Sequence, residues 1–141
     1  MIRKLKPTDI ESILTIWLNA STKAHDFVSA EFWKSQVSNM RDIYIPVSDT
    51  YTYEKNGDIL GFYSLYEDML AAIFVAPEHQ DKGIGTELIA HVKSHRSVLT
   101  LSVYKANQAS YEFYLKQGFL VISEQVDEHT GHPEYTMKWE R

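Results

Sequence analysis

An apolar run, Met69-Leu70-Ala71-Ala72-Ile73-Phe74-Val75, stops at Ala76-Pro77 and is followed by Gln80-Asp81-Lys82-Gly83-Ile84-Gly85-Thr86. This succession constrains the fold more than any other stretch. The chain has only six glycines, and two of them stand one residue apart here, where a strand meets a helix. A short, unbroken apolar run reads as a strand buried on both faces. After the glycines, Ile84, Leu88 and Val92 mark one face of a helix running to about His95. A helix start carries unpaired N–H groups and a partial positive charge. Glycines there let an anion approach the backbone closely. Two readings stay open from these residues alone: a phosphate cradle, or a glycine-facilitated turn that binds nothing.

The rest of the pattern alternates strand and helix. Ile2 to Leu5 reads as a short strand. Thr8-Asp9-Ile10-Glu11 reads as a capping box opening a helix with Ile10, Ile13, Leu14 and Trp17 at helical spacing. A second helix is expected from Ser29 to about Arg41, after a polar loop holding Lys23, His25 and Asp26. Asn56-Gly57 is a hairpin turn signal, because both positions tolerate positive φ. Ile59 to Tyr66 would return from it, and Glu67-Asp68 would turn the chain into the apolar run. Val98 to Val103 is β-branched and apolar. Asn107 suits an N-cap for a short helix ending at Gly118. Phe119 to Val126 and Tyr135 to Trp139 read as the last strands, joined by a polar loop. The expected order is β-α-α-β-β-β-α-β-α-β-β: an α/β chain with a mixed sheet, read as one domain over residues 1–141.

Composition removes several classes of function. Net charge is −5, without the basic footprint that nucleic-acid binding leaves, so no nucleic-acid partner is expected. No apolar stretch is long enough to span a membrane, and the first residues hold no secretory apolar segment. A cytoplasmic location is the expectation. The absence of cysteine excludes disulfides, thiolate metal sites and a cysteine nucleophile together. His91 and His95 stand four residues apart, but the residues around them lack a zincin's glutamate, and no third ligand is evident. They read as a solvent-exposed pair, and no metal site is expected.

Two known phosphate motifs fail. No lysine follows Gly85, as a Walker loop requires, and Leu88 stands where a dinucleotide fingerprint needs a third glycine. A third pattern fits. Gln80-Asp81-Lys82-Gly83-Ile84-Gly85 matches [RQ]-x-x-G-x-[GA]. The run Asn107-Gln108-Ala109-Ser110-Tyr111-Glu112-Phe113-Tyr114-Leu115-Lys116-Gln117-Gly118-Phe119 matches N-x-x-A-x-x-[FY]-Y-x-x-x-G-F. In this order and separation the pair resembles the cofactor motifs of the GCN5-related N-acetyltransferase (GNAT) superfamily. The element order agrees along the whole chain. More loosely, Ala24-His25-Asp26-Phe27 and Asp127 to Pro133 resemble small bacterial members.

The resemblance implies an acetyl-CoA-dependent N-acetyltransferase. Backbone groups of Gln80, Asp81, Lys82, Gly83, Ile84, Gly85 and Thr86 would hold the cofactor's diphosphate. The strand residues Ile73 to Val75 would pair with the pantetheine arm, in a gap between that strand and Leu99 to Val103. Asn107 would contact the cofactor from the far side. An amine-bearing acceptor would attack the thioester directly in a ternary complex, giving coenzyme A as product. A backbone N–H near Phe74 or Val75 would stabilise the oxyanion. Tyr114 would protonate the departing thiolate, because a phenol near pKa 10 keeps its proton at neutral pH. A plain core aromatic is the other reading of Tyr114.

The acceptor side is less specified. His25, with an ordinary pKa near 6.5, and Glu67 are candidate bases, with Asp68 beside Glu67. His25, Asp26 and Tyr135 are candidate acceptor-binding residues, with His132 nearby. A solvated turn is the other reading of Glu67 and Asp68, and the favoured one. A homodimer is a further expectation from the resemblance. The alternative function is an acyl-CoA-binding sensor of the same fold that transfers nothing.

Overall fold

A computed structural model describes residues Met1–Arg141. The strands are β1 (Ile2–Lys4), β2 (Asp49–Lys55), β3 (Asp58–Tyr66), β4 (Met69–Val75), β5 (Val98–Tyr104), β6 (Leu120–Val126) and β7 (Pro133–Glu140). The helices are α1 (Ile10–Ala24), α2 (Ala30–Asn39), α3 (Ile84–His95) and α4 (Gln108–Lys116). The seven strands form one sheet in the order β1-β2-β3-β4-β5-β7-β6. All pairs are antiparallel except β4 with β5.

The expected order holds, and local chemistry explains most of it. Asn56 and Gly57 both take positive φ, 54° and 84°, and join β2 to β3 as a two-residue hairpin with Lys55 opposite Asp58. Ser29 caps α2 by accepting from the Phe32 N–H, and Asn107 caps α4 by accepting from the Ser110 N–H.

Three local expectations are corrected. The Thr8/Glu11 capping box does not form. Asp9 instead accepts from the Lys6 N–H at 2.8 Å and from Arg3 Nη1 at 2.7 Å, while Glu11 pairs with Arg41. A guanidinium delivers charge-assisted hydrogen bonds, which are stronger than a neutral cap. Second, the helical path does not stop near Arg41. It continues through a π-helical segment, Met40–Tyr44, into a last turn, Ile45–Val47, which contains Pro46. A proline ring removes one N–H and crowds the preceding turn, which suits a widened helix. Third, β4 is not buried on both faces: Leu70 alone among its residues is fully buried.

Two cores lie on opposite faces of the sheet. One holds Leu88, Ile89 and Val92 of α3 with Tyr63, Leu99, Leu101, Phe119 and Met137. The other holds Ile13, Leu14 and Trp17 of α1 with Trp33, Ile45 and Phe62. Between them the sheet comes apart at one place. β4 and β5 are in register only at Met69 and Thr100, and then diverge toward Val75 and Tyr104.

Candidate active site

The divergence of β4 and β5 opens a cavity of about 1010 Å³. Its walls are Leu70 to Val75 on one side and Leu101 to Tyr104 on the other. This is why the apolar run of β4 is half-exposed: its far edge faces a cavity rather than a strand. The Ala76 N–H donates to Leu60 O on β3. Backbone groups alternate along a strand, so the Val75 N–H points the other way, into the gap.

The start of α3 forms one end of the cavity. Gly83 is its N-cap at φ 85°, and no side chain caps the helix. The first bond of the helix joins the Glu87 N–H to Gly83 O, so the N–H groups of Ile84, Gly85 and Thr86 lack an intrahelical partner. A β-carbon on Gly83 would meet nothing within 4 Å, leaving the approach to these donors clear. Gln80 braces the loop by donating from Nε2 to Val75 O at 3.1 Å. Of the expected loop residues, Gln80, Asp81, Gly83, Ile84, Gly85 and Thr86 line the cavity. Lys82 does not; it lines a smaller cavity of about 280 Å³ with Tyr53, Lys55 and His79.

α4 forms the facing wall. Tyr114 lines the cavity, its ring edge-on to Phe113 and Phe119 at 5.5 and 5.8 Å. Burial pushes its phenol well above the ordinary tyrosine range, so it holds its proton at neutral pH. Asn107 also lines the cavity.

The remaining end is aromatic. His25 sits 5.0 Å from Tyr104, 5.2 Å from Trp33 and 5.8 Å from Phe27 between ring centroids. Burial lowers its imidazole pKa to about 4, so it is neutral at pH 7 and a much weaker base than a free histidine. Tyr104 donates to Asp127 Oδ2 at 2.7 Å, and Thr130 donates to the same oxygen at 2.8 Å. These bonds tie the β6–β7 loop to this end. His132 packs on Phe27 at 4.9 Å.

Asp26 lines the cavity as expected, but three other residues do not match their expected surroundings. Glu67 and Asp68 lie beyond the closed end, where Arg96 donates to Glu67 O at 3.1 Å and approaches Asp68 Oδ1 at 3.6 Å. β4 spans about 20 Å, so their turn and the open end of the cavity are at opposite ends of the strand. Tyr135 packs instead on Tyr111 at 5.1 Å. Adjacent residues of a strand face opposite ways, and its neighbour Glu134 lines the cavity instead. The His91/His95 pair is not simply solvent-exposed. His91 is half-buried, with Nδ1 2.6 Å from the Tyr63 hydroxyl.

Sequence reasoning missed Ser21, Trp33, Tyr104 and Glu134 as cavity-lining residues. Trp33 and Tyr104 carry only an ordinary core or strand pattern, so nothing local marked them. Glu134 was legible in principle from strand alternation.

A family model described as an acetyltransferase (GNAT) domain matches residues 46–121. The peptidyl-lysine N-acetyltransferase YiaC of Escherichia coli (strain K12) is 35% identical across 99% of this chain and 96% of its own length. The chain belongs to the GNAT family. It is accordingly an acetyl-CoA-dependent N-acetyltransferase. This GNAT chain also resembles the solution structure of apo-form YjaB from Escherichia coli, with a TM-score of 0.87 and 26% identity, covering 99% of this chain and 96% of that one. The PaiA N-acetyltransferase from Thermoplasma acidophilum, solved with coenzyme A, shares the fold at a TM-score of 0.84 and 20% identity, covering 100% and 98% of the two chains.

Proposed function

We propose that this enzyme transfers an acetyl group directly from acetyl-CoA to the ε-amine of a peptidyl lysine. The single observation that carries the reading is the splay of β4 from β5 after Met69 and Thr100. It produces one channel with unpaired amides at one end and a buried aromatic pocket at the other. The family and the peptidyl-lysine activity named for YiaC support the acceptor class.

In this reading the loop from Gln80 to Thr86 grips the diphosphate through backbone N–H groups. The pantetheine arm runs along Ile73 to Val75, and Asn107 meets it from α4. The lysine enters at the aromatic end, where Asp26 and Glu134 attract its positive charge. After the amine loses its proton, its lone pair attacks the thioester carbonyl. The Val75 N–H, aimed into the gap, donates to the oxyanion. Collapse of the tetrahedral intermediate breaks the C–S bond, Tyr114 passes its proton to the departing thiolate, and the surplus proton of the new amide nitrogen leaves through water and restores the Tyr114 phenol. A neutral His25 shapes the acceptor pocket, and water takes the amine's proton.

We further take residues 1–141 as one domain, working in the cytoplasm without a metal ion or nucleic acid. A homodimer belongs to the same reading. The exposed Leu120, Ile122 and Val126 on edge strand β6 support it. Sedimentation equilibrium tests it, a monomer at micromolar concentration counting against it. The central test is acetyl-CoA-dependent release of coenzyme A with lysine-bearing peptides. Mass spectrometry should find 42 Da added per acetylated lysine, the mass of one acetyl group replacing a hydrogen. Activity on α-amines alone would overturn the acceptor class.

A further inference from the structure

We propose that Lys23, on the last turn of α1, is the cation of the diphosphate site. This rests on the reading that the cavity holds acetyl-CoA. Lys23 lines the cavity, and its Nζ donates to Gln80 Oε1 at 3.3 Å across the mouth. Gln80 in turn reaches Val75 O. The ammonium therefore stands beside the loop whose next residues lead to the unpaired N–H groups of α3.

Charge makes this position significant. A helix N-terminus offers about half a unit of positive charge, whereas a diphosphate in a coenzyme carries two negative charges. The loop itself adds little. Lys82 lines the other cavity, and Asp81 contributes a carboxylate within the loop. Lys23 has no carboxylate within ion-pair distance; the ion pairs of this protein involve other residues. Its one partner is a neutral amide oxygen, which it can exchange for a phosphate oxygen and gain a charge-assisted bond. Sitting on α1 rather than on the loop, it closes the diphosphate between two elements that the sheet holds apart.

Lys23→Met removes the charge and keeps most of the apolar stem. Calorimetry on the full chain, with coenzyme A, 3′-dephospho-coenzyme A and pantetheine, separates the alternatives. The variant should bind coenzyme A and the dephospho form about tenfold more weakly than the wild type. Pantetheine should bind both proteins alike, and Lys23→Arg should retain most of the affinity. The thermal midpoint of the unliganded variant should not move, because the side chain is exposed. Equal affinity of wild type and Lys23→Met for coenzyme A overturns the proposal. So does a loss confined to coenzyme A, which assigns Lys23 to the 3′-phosphate. If wild type binds no coenzyme A at all, the acetyl-CoA reading itself fails.

Discussion

Asn107 Nδ2 donates to His25 Nε2 across 3.2 Å, linking two residues 82 positions apart. The direction of this bond follows from the cap. Asn107 Oδ1 already accepts from the Ser110 N–H, so its amide nitrogen faces His25. The imidazole nitrogen facing it must accept, and the proton of neutral His25 therefore resides on Nδ1. That Nδ1 is buried and has no partner. A second proton on this ring would turn Nε2 into a donor facing a donor. Burial and this contact both oppose the charged form.

Stability should therefore depend on His25 in acid. Its folded pKa lies near 4, against 6.5 for an ordinary histidine. Between these values the unfolded chain takes up a proton that the folded chain refuses. Stability is thus undiminished above about pH 6.5, falls as pH drops toward 4, and loses nothing more from this group below that. The full loss is on the order of 3 kcal/mol. Urea unfolding of wild type and His25→Gln at intervals from pH 7 to pH 4 measures it. The variant should show a shallower slope; parallel slopes would contradict the assignment.

Tyr114→Phe should lower kcat about 100-fold or more while leaving coenzyme A affinity within about twofold. The ring packing against Phe113 and Phe119 survives the change, and only the proton donor is lost. Steady-state kinetics paired with calorimetry decides it. An unchanged kcat would remove Tyr114 from the chemistry.

Gly83→Ala should weaken the enzyme without a steric clash. No atom lies within 4 Å of the added carbon, but φ 85° is unfavourable for alanine. A stability loss of about 1–2 kcal/mol is expected, read from the shift in the urea midpoint. Coenzyme A affinity should fall with it, because the α3 amides hang on this cap.

Gly61→Ala tests a different constraint. An added carbon would stand 2.9 Å from Phe74 O, a backbone atom in the paired strand. β3 and β4 must then separate, at about 1–3 kcal/mol. Gly61 sits opposite Val75, so the Val75 N–H should be displaced as well. The expected signature is a lower thermal midpoint together with reduced kcat in the folded protein at low temperature. A normal midpoint would show that the strands accommodate the methyl group.

Much of the chain was legible before the structure, because short-range rules governed it. The hairpin at Asn56-Gly57 and the caps at Ser29 and Asn107 depend on a few adjacent residues. So do the helix face of Ile84, Leu88 and Val92 and the glycine-led start of α3. Their conformations are settled by φ preferences, capping oxygens and period. The capping box failed because Arg41, 30 positions further along the chain, holds the Glu11 carboxylate that the box would need.

The site required the tertiary structure wherever it depended on distance across the sheet. Glu67 and Gly83 flank the same strand, yet only one borders the cavity, since β4 and β5 touch at one end and part at the other. Glu134 and Tyr135 are adjacent, but the pairing of β7 with β5 decides which faces inward. His25 has an ordinary pKa in any local reading; Phe27, Trp33 and Tyr104 desolvate it only once three separate elements have packed together. Local bonds form between neighbours in sequence, whereas dielectric and enclosure are set by whatever the fold brings near.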